Sequence, residues 1–434
     1  MQMQNNYKGF HPSLGGAVPR VPWEDVQDAE LFFKEYISKH KPVVIEGIPE
    51  DLQNVKEWSN SYLKRVAGDS KVSVETVHEG NKFGKGLVKK DVAFRTIAES
   101  IANGETCYYI TTQDIKVNEK TGQPNVTSSP VTELIYSEKG VPIKPKLFGN
   151  LIPMNLNIWM GNSKDGSCTG LHHDYHDNLY VLLRGRKKFQ LYSPLDTEYM
   201  YTQGNVERVH KNGRINYMDF PTNPDGSEKG ALVAQEASDK KSAAEAALAK
   251  AEEDLANGVK GAQERVNAAE AALDEALEDV LDSADFEDDF DEMESDSDDN
   301  GSNSDGQDED DRQVGEAPPS KRAKIDPENN PRETPLNFSK VQLDKPIDKT
   351  QFPLFHRATQ ITCEIKPNEM LFLPAGWFHC VTSYSDNDVS DKAEYSGHLA
   401  FNYWMHPADT DNYKKPYSSD FWLNDWKARG DKIV

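Results

Sequence analysis

Two stretches of this chain, some two hundred residues apart, carry the side chains with chemistry in them. The first is Gly170-Leu171-His172-His173-Asp174-Tyr175-His176-Asp177-Asn178-Leu179-Tyr180; the second is Leu373-Pro374-Ala375-Gly376-Trp377-Phe378-His379. In an extended strand, side chains at i and i+2 share a face, so His172 and Asp174 can reach one ion while His173 points away. His379, at the end of a distant apolar strand, adds a second imidazole. Two imidazoles and one carboxylate on one face of a metal, with three positions left open, form the ligand set of a non-haem Fe(II) centre. His173 and His176 have no carboxylate two residues on and read as core or surface histidines.

The flanking sequence supplies the elements that must position this set. Lys366-Pro367-Asn368-Glu369 reads as a turn, Met370 to Leu373 as an apolar strand, and Pro374-Ala375-Gly376-Trp377 as a tight bend that delivers His379 at the strand's end. Asn178 to Pro194 alternates as a strand should and is expected to fold back at Gly185 as a hairpin. Further strands are read at 42–48, 151–160, 360–365 and 398–404, and a helix over Ala29 to His40.

Composition sets the frame. The chain has 434 residues, 36% of them hydrophobic, a mean hydropathy of -0.75 and a formal charge of -24, so part of it is not expected to build a core. The charge is localised: from Asp274 to Asp311 twenty residues are Asp or Glu and none is Lys or Arg. The remainder is only mildly acidic and shows no general basic surface for nucleic acid. Cys107, Cys168, Cys363 and Cys380 lack C-x-x-C spacing, which argues for a reduced intracellular compartment and against a disulfide framework or zinc ribbon. No run approaches eighteen apolar residues, and Met1 to Gly9 lacks the apolar core of a secretory signal, so neither membrane insertion nor secretion is expected.

The organisation that follows is a tail over 1–20, a globular part over 21–229, an insertion over 230–335, and a second globular part with a C-terminal helix over 336–434. Loop closure cost grows only logarithmically with length, so one domain tolerates such an interruption. Within the insertion, Ser238 to Val280 places apolar residues near heptad spacing at Leu248, Leu255, Val259, Ala262, Val266, Leu273, Leu277 and Val280, with Gly258 and Gly261 interrupting. It reads as a solvated helix or helical hairpin, or as a coiled coil to a partner. The acidic run from Asp282 to Asp311 has too little apolar surface to order itself, and its charge suits a basic partner. Pro318 to Asp326, with Lys321, Arg322 and Lys324, is similar to a nuclear localisation signal, so nucleus and cytoplasm are the expected compartments. Ser295 and Ser297 sit in acid, as acidophilic kinase sites do.

Asn157-Ile158-Trp159-Met160-Gly161, Gly170 to Pro194, Asn368 to Val381 and Ala400 to Trp404 resemble the JmjC family of 2-oxoglutarate-dependent oxygenases. More narrowly, the chain resembles the small, reader-less lysyl hydroxylases of the Jumonji-domain protein seven type, over about 20–225 and 336–425. The resemblance implies a mainly β, double-stranded β-helix (jelly-roll, cupin-like) barrel with flanking helices. It implies Fe(II) held by His172, Asp174 and His379, and 2-oxoglutarate as co-substrate. Lys187, fifteen residues after His172, matches the lysine that pairs with the far carboxylate of 2-oxoglutarate, with Lys188 as a competitor. Asn178, Thr169 and Asn402 match further co-substrate contacts, and Tyr109 a co-substrate tyrosine, with Tyr108 as rival. The family's pattern also suggests a homodimer.

The activity implied is hydroxylation of a lysine side chain in a protein substrate, such as a developmentally regulated GTP-binding protein. Demethylation of histone lysines is the alternative, since the triad alone does not separate the two. A non-catalytic acidic scaffold for basic proteins is a third reading. No Ser/His/Asp, Cys/His or H-E-x-x-H arrangement supports a protease.

Overall fold

The computed structural model describes residues 3–76, 89–117, 124–163, 165–218, 221–292, 334–386 and 391–429. Period-2 alternation decides the architecture. On Asp177–Arg184, Leu179 and Val181 face one way and Tyr180 and Leu182 the other. Glu369–Leu373, Val43–Glu46, His398–Met405 and Pro153–Gly161 split in the same manner. These strands lie in one nine-stranded sheet, in the order Arg20–Pro22, Val43–Glu46, Glu369–Leu373, Asp177–Arg184, His398–Met405, Pro153–Gly161, Tyr108–Ile110, Lys71–Thr76 and Lys89–Ala93. All neighbours are antiparallel except the first two, so the sheet is mixed.

One face of this sheet carries Val43, Ile45, Leu179, Val181, Met370, Phe372, Leu399, Phe401 and Met405. It buries them against Phe32, Phe33, Ile37, Leu63, Phe94, Ile97 and Ile101 from the helical segments. Asp28 starts the first of these segments, its carboxylate accepting from the Leu31 N–H at 2.8 Å. The helix expected over Ala29 to His40 is α-helical only over Ala29–Phe32. It widens to i+5 bonding over Phe33–Ile37, with Ser38 N–H reaching the Phe33 carbonyl at 2.8 Å.

The opposite face presents Val44, Tyr180, Leu182, Leu371, Leu373 and Ala400 to Phe189, Leu191, Ile361, Ile365 and Val381 of a smaller sheet. That sheet is ordered Gln360–Ile365, Arg186–Tyr192, Phe378–Tyr384 and Ser167–Cys168, and His172–His173 also pairs with Phe378–Tyr384. Two sheets therefore face each other, the larger one mixed and covered on its other side by helices, the smaller one antiparallel. A third sheet joins Gln4–Asn5, Val206–Val209 and Ile215–Tyr217.

Two strand readings need correction. Asp177–Arg184 and Arg186–Tyr192 do not pair with each other; Gly185 turns the chain out of the large sheet into the small one. A side chain there would meet the Tyr384 carbonyl at 2.4 Å, and φ is +78°, which is why the position is glycine. Alternation marks both strands and does not say which partner each takes. The bend at Pro374–Trp377 likewise carries the chain between sheets, so His379 is the second residue of Phe378–Tyr384, at the start of that strand, not the end of the strand before the bend.

Cys168 and Cys380, 212 positions apart, are joined as a disulfide, and Cys107 and Cys363 are free. Cysteine spacing, which argues against a disulfide framework, does not anticipate this single pair. The pairing is set by neighbouring strands of the small sheet, where Thr382 stands opposite Cys168, and leaves no local spacing to read.

Contacts divide the chain into two units, Met1–Gly226 with Ile325–Val434, and Ser227–Lys324. The second contains the helices Lys229–Ala256 and Ala262–Glu292, packed on each other and turned by Gly258 and Gly261, both with positive φ. Among its described side chains the buried ones are chiefly alanines: Ala244, Ala251, Ala262, Ala269 and Ala276, with Val266. Leu255, Val259 and Leu277, three of the heptad positions, are exposed. Lys240–Asp279 (2.7 Å) and Arg265–Asp254 (3.0 Å) bridge the two helices. The acidic run beyond 292, Ser295, Ser297, Lys321, Arg322 and Lys324 lie outside the described residues. No described helix is long and apolar enough to cross a membrane.

Candidate metal centre and co-substrate pocket

His172 and His379 stand opposite each other on adjacent antiparallel strands, and Asp174 follows one residue after the strand His172–His173 ends. One ligand atom from each of the three lies within 4.8 Å of the others. The two imidazole rings are 4.3 Å apart between centroids. Both rings are held through Nδ1, that of His172 on the Gly170 carbonyl at 3.1 Å and that of His379 on the Trp377 carbonyl at 2.9 Å. A carbonyl can only accept, so each Nδ1 carries a proton, and in a neutral ring that leaves the lone pair on Nε2. His379 Nε2 faces Asp174 Oδ2 at 3.6 Å. With the rings as neutral ligands, two imidazole lone pairs and a carboxylate oxygen converge here, a donor set that fits a divalent ion. Burial pushes the His172 imidazole down to about 4, with the neighbouring His379 adding to the effect, so it is neutral and ready to ligate near pH 7.

The strand period holds for the neighbouring histidine. His173 is fully buried on the other side, with Nε2 2.8 Å from the Tyr217 hydroxyl. His176 stacks near Trp404 and His406, away from the triad.

On the strand that pairs with the one carrying His379, Lys187 points inward and is 1% exposed, whereas Lys188 is exposed. The Lys187 ammonium lies 5.8 Å from the Tyr109 ring and 5.4 Å from the Tyr180 ring, and it enters no ion pair among the described residues. Burial alone lowers its pKa to about 7. A buried amine without a carboxylate beside it is costly, and an anionic ligand removes the cost. Tyr109 is buried, its hydroxyl pushed up by desolvation, while Tyr108 is half-buried against the helix-covered core. Asn402 bridges the wall of this pocket: its Oδ1 accepts from Trp159 Nε1 at 2.8 Å and its Nδ2 donates to Asn178 Oδ1 at 2.9 Å. Thr169 Oγ1 accepts from Val381 N–H at 3.2 Å and donates to the Gly170 carbonyl at 3.1 Å, tying the segment before His172 to the strand carrying His379.

Several residues of the site give no motif to read. Phe338 lies flat on His172, centroids 4.7 Å apart and planes 12° from parallel. It belongs to a segment beside the metal strand, where Asn337 exchanges bonds with His173 and Ser339 N–H reaches the Leu171 carbonyl at 2.8 Å. Asp177 is fully buried, accepts from Ala375 N–H at 2.9 Å and thereby holds the bend before His379; burial raises its carboxyl to about 7. Tyr180 and Ser383 complete the surroundings of Lys187, Ser383 standing opposite it in the register. Only the strand period, which turns both inward, could have signalled them.

The chain belongs to the cupin-like domain family, whose model matches residues 29–411. Among its relatives are JmjC domain-containing proteins. It is 28% identical to JmjC domain-containing protein 4 of Schizosaccharomyces pombe, over 99% of this chain and 93% of that protein. Human "Bifunctional peptidase and (3S)-lysyl hydroxylase JMJD7" is 23% identical over 42% of this chain and 56% of its own length. Arabidopsis thaliana "Lysine-specific demethylase JMJ32" is 25% identical over 44% of this chain and 55% of its own. The chain thus spans little more than half of each of the latter two. The likeness to JmjC domain-containing protein 4 runs nearly end to end, whereas that to the Jumonji-domain protein seven type covers 42% of this chain and is a partial one.

Proposed function

We propose that this chain is an Fe(II)- and 2-oxoglutarate-dependent oxygenase that hydroxylates a lysine side chain of a protein substrate. The observation that carries the reading is the convergence of His172, His379 and Asp174 ligand atoms, together with a buried Lys187 free of ion pairs among the described residues on the strand adjacent to that of His379. In this reading the two facing sheets form the walls of a double-stranded β-helix. Bound iron would use dioxygen as the oxidant and 2-oxoglutarate as the two-electron reductant, one oxygen atom entering the substrate C–H bond as hydroxyl and the other the succinate formed as carbon dioxide leaves. The chain's own part is to bind and orient. Lys187 pairs with the far carboxylate, Tyr109 and Thr169 line its path, and Asn178 and Asn402 hold the wall beside the metal. Leu182, Phe189, Leu371 and Val381 keep the floor dry. Entry to the nucleus through 321–324, a basic partner for the acidic run and a homodimer belong to the same proposal.

The test is mass spectrometry of candidate proteins treated with the enzyme, Fe(II) and 2-oxoglutarate. One added oxygen on lysine supports the reading. Loss of a methyl carbon moves the chain to the demethylases, and absence of any succinate release moves it to a scaffold.

A further inference from the structure

On the far side of the Pro374–Trp377 bend a second cavity, of about 600 Å³, is lined by Lys8, Phe10, Lys39, His40, Lys41 and Lys211, among others. Four lysines there face two aspartates, Asp409 and Asp411, in a chain whose formal charge is -24. The fold forces the lysines together. Lys8 N–H bonds the Lys211 carbonyl at 3.1 Å and Phe10 N–H bonds the Lys39 carbonyl at 2.9 Å, so three separate segments are stitched side by side. Lys39 is paired with Glu35 at 2.7 Å, but Lys8, Lys41 and Lys211 enter no ion pair among the described residues. The Lys41 ammonium lies 5.5 Å from the Phe10 ring and 5.8 Å from the Tyr36 ring. Asp409 is already occupied by the backbone N–H and hydroxyl of Ser418.

His40 sits at the base in left-handed backbone, φ +48°, with its Nδ1 buried and unpartnered. Burial, helped by the nearby Lys211 charge, pushes its imidazole down to about 4. Its carbonyl accepts from Trp377 Nε1 at 3.1 Å and from the Tyr7 hydroxyl at 3.3 Å, which anchors the cavity to the bend leading to His379.

We propose that this lysine-lined cavity is a binding site for a small phosphate ester, separate from the metal centre and its co-substrate pocket. Four lysines gathered around one concavity, three of them in no ion pair among the described residues, attract a multiply charged anion, and lysine binds phosphate as a point charge. The volume suits a molecule of nucleotide size, with Phe10 as the apolar wall for the part that is not phosphate.

The experiment is calorimetric titration of the full chain with inorganic pyrophosphate as the probe, in chloride buffer of fixed ionic strength. The wild type is expected to bind saturably with one site. The double variant Lys41→Glu/Lys211→Glu should lose affinity by about tenfold or more, and Lys187→Ala should leave it unchanged. If the double variant does not melt as the wild type does, Lys8→Glu, on the exposed strap, takes its place with the same expectation. No saturation, indifference to charge reversal, or loss with Lys187→Ala each overturns the proposal, the last by moving the anion into the co-substrate pocket. A short RNA oligonucleotide that binds there more tightly than pyrophosphate also overturns it, in favour of a nucleic-acid contact.

Discussion

At the scale of single residues, the site sets two imidazoles that must be neutral to ligate beside two groups that must be charged, the Asp174 carboxylate and the Lys187 ammonium. His172 and His379 offer lone pairs because backbone carbonyls take their Nδ1 protons. Asp174→Ala or His172→Ala should abolish stoichiometric Fe(II) binding, read by metal titration, with the fold kept; full metal binding by Asp174→Ala would remove that residue from the ligand set. Lys187 is the opposite case, an amine whose charge is useful only with an anion beside it. Lys187→Ala should weaken 2-oxoglutarate binding by about 2 kcal/mol, and Lys188→Ala should leave it unchanged. The sign with pH follows from the lowered value of about 7. Without ligand the folded amine loses its proton well below the unfolded 10.5, so the cost of burying its charge is full below pH 7 and disappears as pH rises through 10.5. Only the protonated form pairs with a carboxylate, so 2-oxoglutarate affinity should fall as pH is raised from about 6.5 to 8.5. A flat profile in wild type, or the same slope in Lys187→Ala, would assign the carboxylate to another partner.

At the scale of elements, what positions the metal ligands is a pair of crossings between sheets. At the second, Gly376 has φ +76° and its N–H bonds the Asp174 carbonyl at 2.8 Å, while an added Cβ would lie 1.8 Å from the Gly213 carbonyl. Gly376→Ala should therefore cost on the order of 3 kcal/mol or more in denaturant unfolding, with metal affinity falling alongside. A variant as stable as the wild type would mean that the bend relaxes freely. These crossings also mark how far the sequence could be read. The i, i+2 relation of His172 and Asp174, the apolar run before Pro374 and the inward turn of Lys187 against Lys188 are local, and local periodicity is legible. Which sheet a strand joins is not local. For that reason Gly185 reads as a hairpin, His379 is assigned to the wrong strand, and the Cys168–Cys380 bond leaves no spacing to find. Phe338 is hidden for the same reason, since a lone phenylalanine in a polar stretch has no periodicity until the chain brings it onto His172.

At the scale of the whole molecule, the question is what an interruption of about a hundred residues does to a site assembled from both sides of it. The helices of the unit Ser227–Lys324 bury their alanines against each other, and Met1–Gly226 with Ile325–Val434 contains every residue of the triad and of the co-substrate pocket. The boundary nevertheless falls close to the chemistry. Phe338 covers His172, Asn337 bonds the backbone of His173, and Lys340 N–H reaches the Tyr201 carbonyl at 2.8 Å, so the segment that re-enters the domain is part of the metal strand's support. Two deletions separate these roles. Replacing residues 229–333 by a Gly/Ser linker should leave Fe(II) binding and 2-oxoglutarate turnover near wild type, because closing a long loop differs little in entropy from closing a short one. The nuclear fraction of a fluorescent fusion should fall, since Lys321, Arg322 and Lys324 leave with it. Extending the deletion through Val341 removes Phe338 and the backbone bonds on 171–173, and should cost metal affinity by about tenfold or more even where the protein stays folded. If the shorter deletion already abolishes metal binding, the inserted unit itself supports the site; if the longer one leaves it intact, the stacking of Phe338 on His172 is packing without consequence for the ligand.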